Sequence, residues 1–179
     1  MRVIAGKYRG RRLISPKDDS TRPTPDRVRE ALFSMLGGRV VEARVLDLFA
    51  GTGALGLEAL SRGANEVVFV ETNATVLMQN IALLKASGTS ILRLPADKAL
   101  RQITQPFDLV FIDPPYAANL WHDSMQQLLQ YRLLCARALV VCEHPTRGAV
   151  PQAPVGLHHK ETRSFGDVSV SFYSMESPQ

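Results

Sequence analysis

From residue 45 onward the sequence alternates between short apolar runs and segments with helical periodicity. Five apolar runs precede Pro145, and each is separated from the next by a segment that predicts a helix. Because the runs are apolar on both sides, they predict strands buried between two layers of helices, as in a parallel sheet. A chain of 179 residues has room for one domain of this kind.

The boundaries of these elements follow from the pattern. The predicted strands are residues 45–50, 66–71, 91–94, 107–112 and 138–143, and the helices between them are residues 54–61, 73–86, 98–103 and 120–134. After Pro145 the pattern changes, because residues 157–163 and 168–173 alternate in polarity around a turn at residues 164–167. That alternation predicts a terminal antiparallel hairpin.

The first 39 residues are more basic than the rest. They hold ten Lys or Arg and four Asp or Glu, a net +6, whereas the other 140 hold eleven bases and thirteen acids, a net −2. A basic front indicates a polyanionic partner such as nucleic acid. Charge alone leaves open a solvated arm that binds nothing in particular. We therefore divide the chain into a basic extension, residues 1–39, and a main domain, residues 40–179.

Two elements are predicted within the basic extension. Residues 3–14 indicate two short strands around Gly6 and Gly10, forming a hairpin from which arginines project. A helix opens at Thr24 and Pro25, which suit its cap and first position, and it stops at Gly37. Its predicted apolar stripe consists of Val28, Ala31, Leu32 and Met35.

Composition excludes several classes of protein. Hydrophobic residues make up 45% and charged residues 21%, which is typical of a globular chain. No apolar run approaches the ~20 residues that span a bilayer, and the N-terminus turns basic too early for a signal peptide. Cys135 and Cys142 lack the spacing of a redox or zinc site. We expect a cytoplasmic protein, monomeric, without a metal.

A glycine-rich loop follows the first apolar strand. Gly51, Gly53 and Gly56 give the spacing G-x-G-x-x-G between a strand and a helix, and Glu71 ends the next strand. Such a loop lets backbone approach a nucleotide, while the acid binds ribose hydroxyls. Dinucleotides and S-adenosylmethionine both use this arrangement. Tight packing of the helix on the strand is the alternative explanation of the glycines.

Two further acids bear on the choice of ligand. Asp47 lies inside the first strand, where burying a carboxylate is costly unless a cationic ligand lies nearby. This favours S-adenosylmethionine, although a hydrogen bond to the loop is an alternative role. Asp97 follows the third strand, where it either reads an adenine amino group or caps the following helix.

The most informative motif is Asp113, Pro114, Pro115 and Tyr116, at the end of the fourth predicted strand. Ligands bind at this edge of an open parallel sheet. The Asp113 carboxylate and the Pro114 carbonyl suit the two N–H groups of an exocyclic amine, and they would stabilise the charge that develops on it during methylation. Tyr116 suits stacking on an unpaired or flipped base. An ordinary strand-ending turn is the alternative.

Together these motifs resemble the class I S-adenosylmethionine-dependent amine methyltransferases. More narrowly, the chain resembles the bacterial RsmD-type 16S ribosomal RNA guanine-N2 methyltransferases over nearly its whole length. The resemblance is carried by residues 1–6, 11–13, 22–24, 26–33, 47–64 and 113–116. The N-terminal segment is its specific part, since the other motifs are shared widely among methyltransferases.

The resemblance implies a Rossmann-like sheet of seven strands, with the last hairpin antiparallel, helices on both faces and a short basic N-terminal hairpin and helix. It implies transfer of a methyl group to the N2 amine of one guanine in 16S rRNA, within the small ribosomal subunit or an assembly intermediate. The implied catalytic residues are Asp113, Pro114, Pro115 and Tyr116. The implied cofactor residues are Asp47, Phe49, Ala50, Gly51, Thr52, Gly53, Glu71 and Asp97.

The basic extension gains a role from the same resemblance. The residues expected to bind RNA phosphates are Lys7, Arg9, Arg11, Arg12, Arg22 and Arg27. Thr24 and Asp26 either face the cofactor cleft or cap the first helix.

Three other functions remain open at this point. A DNA adenine-N6 methyltransferase would use the same Asp-Pro-Pro-Tyr motif, but about 40 basic residues leave little room for a target-recognition region. A nicotinamide-dependent oxidoreductase would explain the glycine loop but would give Asp47 and Asp113 no task. An RNA-binding module with a vestigial cleft would explain the charge.

Overall fold

The structure, a computed structural model, describes residues 1–16, 24–115 and 120–175. Two of the predicted site residues, Arg22 and Tyr116, lie outside the described residues.

Helices and strands alternate along the described chain. After α1 (Asp26–Leu36) and a 3-10 turn (Gly37–Val40), the elements are β1 (Arg44–Leu48), α2 (Ala54–Ser61), β2 (Glu66–Val70), α3 (Thr75–Leu84), β3 (Thr89–Leu92), α4 (Ala96–Gln102), β4 (Phe107–Ile112), α5 (Leu120–Gln130), β5 (Leu134–Pro145), β6 (His158–Phe165) and β7 (Val168–Ser174).

All seven strands belong to one sheet, in the order β3-β2-β1-β4-β5-β7-β6. The first five strands are parallel, while β7 pairs antiparallel with both β5 and β6. The predicted Rossmann-like sheet with a final antiparallel hairpin is therefore confirmed. In this order β1 and β4 are neighbours and β5 lies beside β4, so the segments that follow these strands meet at one edge of the sheet.

Hydrophobic residues cover both faces of the sheet. On one face, Phe69 and Phe111 pack beneath α1, α2 and α3. On the other face, Leu46 and Val110 pack beneath α4 and α5. Residues of the basic extension, such as Val3 and Leu13, belong to the first of these two layers. The extension is thus packed onto the sheet domain.

The first helix differs from the prediction in its buried stripe. Met35 is 37% exposed, whereas Phe33 is buried and its ring lies 5.7 Å from the ring of Phe111. The N-cap residue is Pro25, with no side-chain hydrogen bond to the helix end. The expectation that Thr24 caps this helix is therefore wrong, because its hydroxyl bonds elsewhere, as described below.

The N-terminal segment forms only a short part of the predicted two-stranded hairpin. An antiparallel bridge joins Arg2 and Arg12, and the Val3 N–H donates to the Arg11 carbonyl at 2.9 Å, but residues 5–10 form bends and turns rather than strands. The reason lies in α2, whose buried Glu58 accepts hydrogen bonds from the backbone of Ile4 (2.8 Å) and of Ala5 (3.1 Å). Donors that would extend a strand ladder are instead used to anchor the segment on the helix.

A second anchor lies one helical turn further along α2. The Ser61 hydroxyl accepts a bond from the Tyr8 backbone at 2.9 Å, and the Ser61 carbonyl accepts one from the Lys7 backbone at 2.7 Å. Gly6 passes so close that an added Cβ would lie 1.8 Å from the Ser61 carbonyl oxygen. Only glycine fits at this approach.

Across residues 1–16, 24–115 and 120–175, we find no helix with the length and apolar character required to cross a membrane.

Candidate functional site

A cleft of about 660 Å³ opens at the edge of the sheet where β1, β2, β4 and β5 end. Sequence analysis placed twelve residues at a catalytic or cofactor site, and the structure brings ten of them together here. These ten are Asp47, Phe49, Ala50, Gly51, Thr52, Glu71, Asp97, Asp113, Pro114 and Pro115. Of the remaining two, Tyr116 is outside the described residues and Gly53 is buried behind the loop.

The glycines divide between two roles. An added Cβ at Gly51 would meet nothing within 4 Å, so this glycine, with φ +55°, presents open backbone to the cleft. At Gly53 an added Cβ would lie 2.4 Å from Leu77, and at Gly56 it would lie 2.3 Å from Phe69. The packing explanation therefore holds for Gly53 and Gly56, while Gly51 leaves room for a ligand.

Glu71 connects the glycine loop to the next strand. One carboxylate oxygen accepts the Gly51 N–H at 2.8 Å, and the other accepts the Asn73 N–H at 3.0 Å. The oxygen bonded to Asn73 also accepts the Thr72 hydroxyl at 3.4 Å, whereas the oxygen bonded to Gly51 keeps a lone pair that no contact between described residues uses. That arrangement suits the two hydroxyls of a ribose.

Phe49 has an unusual backbone conformation between β1 and the glycine loop. Its φ of +65° is in the left-handed region, which a bulky side chain rarely adopts. The residue lines the cleft, and its ring packs against the layer under α4 and α5. Strain of this kind is held in place by surrounding packing and is concentrated at binding sites.

Asp47 is buried at the base of the cleft. Its carboxylate accepts the Gly56 N–H at 2.9 Å, so the expected structural hydrogen bond to the loop is present. Burial, opposed by that bond and reinforced by the charge of Glu71, raises the pKa of Asp47 to about 7. A carboxylate that is costly to ionise is an affinity element for a cation placed beside it.

Asp113 follows β4 directly and shares the cleft with Pro114. Burial raises the pKa of Asp113 well above its ordinary value of 3.8, and the charges of Glu143 and Asp47 raise it further. The group therefore has a higher proton affinity than an exposed aspartate. Next to it, the backbone carbonyl of Pro114 is an acceptor, so the pair can receive two N–H groups.

Glu143 is a site residue that sequence analysis did not identify. It lies near the end of β5 and lines the cleft, where its Oε2 accepts the Thr24 hydroxyl at 2.7 Å. Thr24 thus faces the cleft, one of its two expected positions. Burial raises the pKa of Glu143, opposed by the Thr24 bond and the charge of Arg29. The missed signal was an acid at the end of an apolar strand.

Asp97 lines the cleft, whereas Asp26 does not. Asp26 forms salt bridges with Arg2 (3.5 Å) and with the buried Arg29 (3.0 Å) rather than lining the cleft. Asp97 lies in the first turn of α4, makes no capping hydrogen bond there and lines the cleft. Its position is compatible with reading a ligand.

Five of the six predicted RNA-binding residues are described, and all five are exposed: Lys7, Arg9, Arg11, Arg12 and Arg27. Arg11 also has a structural contact, since its guanidinium donates to the Leu83 carbonyl at the end of α3, at 2.8 Å. Exposed cations on an anchored segment form a basic surface whose shape is set by α2 and α3.

Asn80 links this basic segment to the cofactor loop. Its buried amide group donates to the Ile14 carbonyl (3.1 Å) and to the Thr52 carbonyl (3.0 Å), and its Oδ1 accepts the Ile14 N–H (2.7 Å). One side chain thus fixes the N-terminal segment against the glycine loop, so the basic surface and the cleft have a defined relative position.

In the part of the chain that the structure describes, no group of three or more His, Cys, Asp or Glu side chains is arranged to hold a metal ion.

Comparison with known proteins identifies relatives along the whole chain. The family described as "Conserved hypothetical protein 95" matches residues 1–174. The chain is 37% identical over 180 residues to the Ribosomal RNA small subunit methyltransferase D of Escherichia coli (strain K12), covering 99% of this chain and 91% of that protein. The solved structure of the Escherichia coli protein yhhF has a TM-score of 0.88 and 36% identity, with 99% of both chains covered.

A further relative and a further structure agree with these. The Ribosomal RNA small subunit methyltransferase D of Haemophilus influenzae is 40% identical over 150 residues, covering 80% of this chain and 78% of that protein. The solved structure of a hypothetical protein from Thermus thermophilus has a TM-score of 0.82 and 34% identity, covering 97% of this chain and 99% of that one.

Proposed function

The chain belongs to the family described as "Conserved hypothetical protein 95", and from this premise we propose that it transfers a methyl group from S-adenosylmethionine to the N2 amine of a guanine in 16S rRNA. Methyltransferase action on ribosomal RNA is the function named for its Escherichia coli and Haemophilus influenzae relatives. The guanine amine and the methyl donor are the finer parts of the proposal.

One observation carries the finer proposal: Asp47, Asp113 and Glu143, three acids with raised pKa values, share the cleft with an open glycine loop. Asp113 and Glu143 suit the positive charge that develops on a substrate amine, whereas Asp47 suits a cofactor that itself brings positive charge. S-Adenosylmethionine does so with its ammonium and sulfonium groups, and the Gly51 backbone with Glu71 suits its ribose. The residues present therefore fit this cofactor.

The chemistry divides between the ligand and the protein. When bound, S-adenosylmethionine would supply an electrophilic methyl group on its sulfonium sulfur, with the neutral thioether as the leaving group for attack by the amine nitrogen. Asp113 and the Pro114 carbonyl accept the two N–H groups of the amine. These bonds orient the nitrogen lone pair and stabilise the positive charge that develops on it.

The basic surface would hold the RNA while a base enters the cleft. Lys7, Arg9 and Arg12 are exposed on the N-terminal segment that α2 and α3 anchor, and Arg27 is exposed on α1. Contacts to phosphates position an RNA without reading its sequence, and an exocyclic amine can reach a cleft only from an unpaired or flipped base. In this proposal the substrate is the small ribosomal subunit or an assembly intermediate, and the protein acts as a cytoplasmic monomer.

The experiment that tests this function is transfer of a labelled methyl group from S-adenosylmethionine. The acceptors are small ribosomal subunits from cells lacking the protein, their deproteinised rRNA and duplex DNA, in parallel. Label in subunits or rRNA supports the proposal. Label in DNA alone would move the assignment to the DNA adenine-N6 alternative, which the named relatives do not favour.

Cofactor affinity should depend on pH through Asp47. A cationic ligand requires the ionised form of Asp47. Because its pKa is about 7, Asp47 is mostly protonated below pH 6 and becomes ionised as the pH rises. We expect S-adenosylmethionine to bind roughly tenfold more tightly at pH 7 than at pH 5.5. Titration calorimetry at both values measures this. In Asp47→Asn the difference should vanish, and a wild-type affinity independent of pH would contradict the assignment.

RNA affinity should depend on the exposed arginines of the N-terminal segment. Reversing Arg9 and Arg12 to Glu should weaken binding of 16S rRNA and lower the slope of log affinity against log salt by about one per lost phosphate contact. Arg11 is left unchanged because it bonds the Leu83 carbonyl. Filter binding over a salt series measures both quantities.

A matched control has the same charge change elsewhere on the protein. The variant Arg101→Glu with Arg132→Glu alters two exposed arginines of the main domain, one in the last turn of α4 and one just after α5. Its salt slope should stay close to that of the wild type. Equal slopes in both double variants would assign the N-terminal segment a structural role only.

A further inference from the structure

Asp113, which directly follows β4, and Glu143, near the end of the neighbouring strand β5, lie at the same level of the sheet. The register pairs Ile112 of β4 with Cys142 of β5, and Asp113 and Glu143 each come one residue later. Partnered residues of parallel strands point to the same face of the sheet. Both side chains accordingly line the same cleft. A second carboxyl group therefore lies beside the one that we place against the substrate amine.

Contacts from two other elements hold Glu143 in place. The Thr24 hydroxyl donates to its Oε2 at 2.7 Å, and the buried Arg29 guanidinium donates to the Thr24 carbonyl at 3.0 Å. From α5, the Trp121 indole N–H donates to the Glu143 backbone carbonyl at 2.8 Å. Among the contacts between described residues, the Thr24 bond engages only one of the two carboxylate oxygens. The group is oriented but retains acceptor capacity.

Resting on the proposed function, we propose that Glu143 is a positioning residue for methyl transfer: it takes up, through Asp113, the proton that the amine loses once the new N–C bond has formed. After that bond forms, the nitrogen carries a positive charge and both of its original hydrogens. One proton passes to the Asp113 carboxylate, which leaves a neutral secondary amine. The proton is then shared with Glu143 and leaves to solvent as product departs.

The charges around the pair favour this role. The charge of Asp47 at β1 raises the pKa of Asp113, and the charge of the Arg29 guanidinium on α1 lowers that of Glu143. Asp123 of α5 also lines the cleft, and Val170 of β7, which pairs with Glu143, does not titrate. Burial raises the pKa of both carboxyl groups, and the charge of Glu143 raises that of Asp113. Two buried acids in mutual repulsion hold a proton more readily than either would alone.

The test compares Glu143→Gln with Thr24→Val, using kcat against pH at saturating S-adenosylmethionine and 16S rRNA acceptor. Removing the Glu143 charge lowers the pKa of Asp113. The acid limb, the part of the profile where kcat falls at low pH, should therefore move to lower pH, and the maximum kcat should fall about 100-fold. Because the two acids titrate as a pair, the limb reports the pH at which the pair gives up its last proton. Removing the Thr24 hydroxyl removes a bond that lowers the pKa of Glu143, so the pair keeps that proton to higher pH and the limb should move to higher pH. A purely structural role would not produce opposite shifts.

The control and the contrary outcomes separate this inference from the function on which it rests. Glu42→Gln, an exposed change outside the cleft, should match the wild type in both kcat and limb position. The role of Glu143 would be overturned if Glu143→Gln had the kcat and acid limb of the wild type, or if the limb moved in the same direction in both variants. Either result would leave the proposed function standing. A wild-type protein without methyl transfer would overturn the proposed function as well.

Discussion

Replacing Asp113 with alanine is expected to lower kcat for methyl transfer at least about 1000-fold while leaving the affinity for S-adenosylmethionine nearly unchanged. The carboxylate accepts an N–H of the amine as charge develops and then takes its proton, and positioned groups of either kind contribute about 100-fold or more. In the proposed function, cofactor binding depends instead on Asp47, Gly51 and Glu71, which are near the ends of other strands.

Two measurements check this expectation together. Single-turnover transfer reports the chemical step, and calorimetry with S-adenosylhomocysteine reports whether the cleft still binds ligand. Glu42→Ala, at an exposed position outside the cleft, serves as the matched loss of an acid and should retain full activity. Wild-type rates in Asp113→Ala would remove this residue from the mechanism.

Replacing Glu58 with alanine is expected to lower the free energy of unfolding by about 3 kcal/mol. Its carboxylate is fully buried and accepts hydrogen bonds from the Ile4 N–H, the Ala5 N–H and, at 2.7 Å, from Arg62 Nε. Alanine would leave three donors without their acceptor and would release the N-terminal segment from α2. RNA affinity should fall with it, because the basic surface would lose its anchor.

Urea unfolding measures the stability loss. The matched control is Glu30→Ala, an exposed glutamate of α1, where surface substitutions change stability by about 0.5 kcal/mol or less. Glu58→Gln retains one acceptor oxygen and should lie between the two. A loss below about 0.5 kcal/mol in Glu58→Ala would show that the segment is held by its apolar contacts rather than by these bonds.

The sheet and much of the cleft could be predicted because their signals are local. Parallel strands buried on both faces are apolar throughout, and their carboxyl ends meet at one edge whatever their exact order. The acids that follow or end such strands, among them Asp113 and Glu71, were therefore placed correctly beside the loop of Gly51.

What could not be predicted depends on long-range contacts. Glu143 lies at the edge of the site because β5 pairs with β4, and its partner Thr24 is 119 residues away in sequence. The N-terminal hairpin is shorter than predicted for the same reason, since Glu58 and Ser61 compete for backbone donors from a helix 53 or more residues away. Strand propensity does not register such competitors.

The most direct test of the central claim is to identify the nucleoside that receives the methyl group. Small subunits from cells lacking the protein are incubated with labelled S-adenosylmethionine and the purified protein, and their 16S rRNA is digested to nucleosides and separated by chromatography. The account predicts label in N2-methylguanosine, with none when Asp113→Ala replaces the wild type. Label in any other nucleoside, or no label with the wild-type protein, would contradict it.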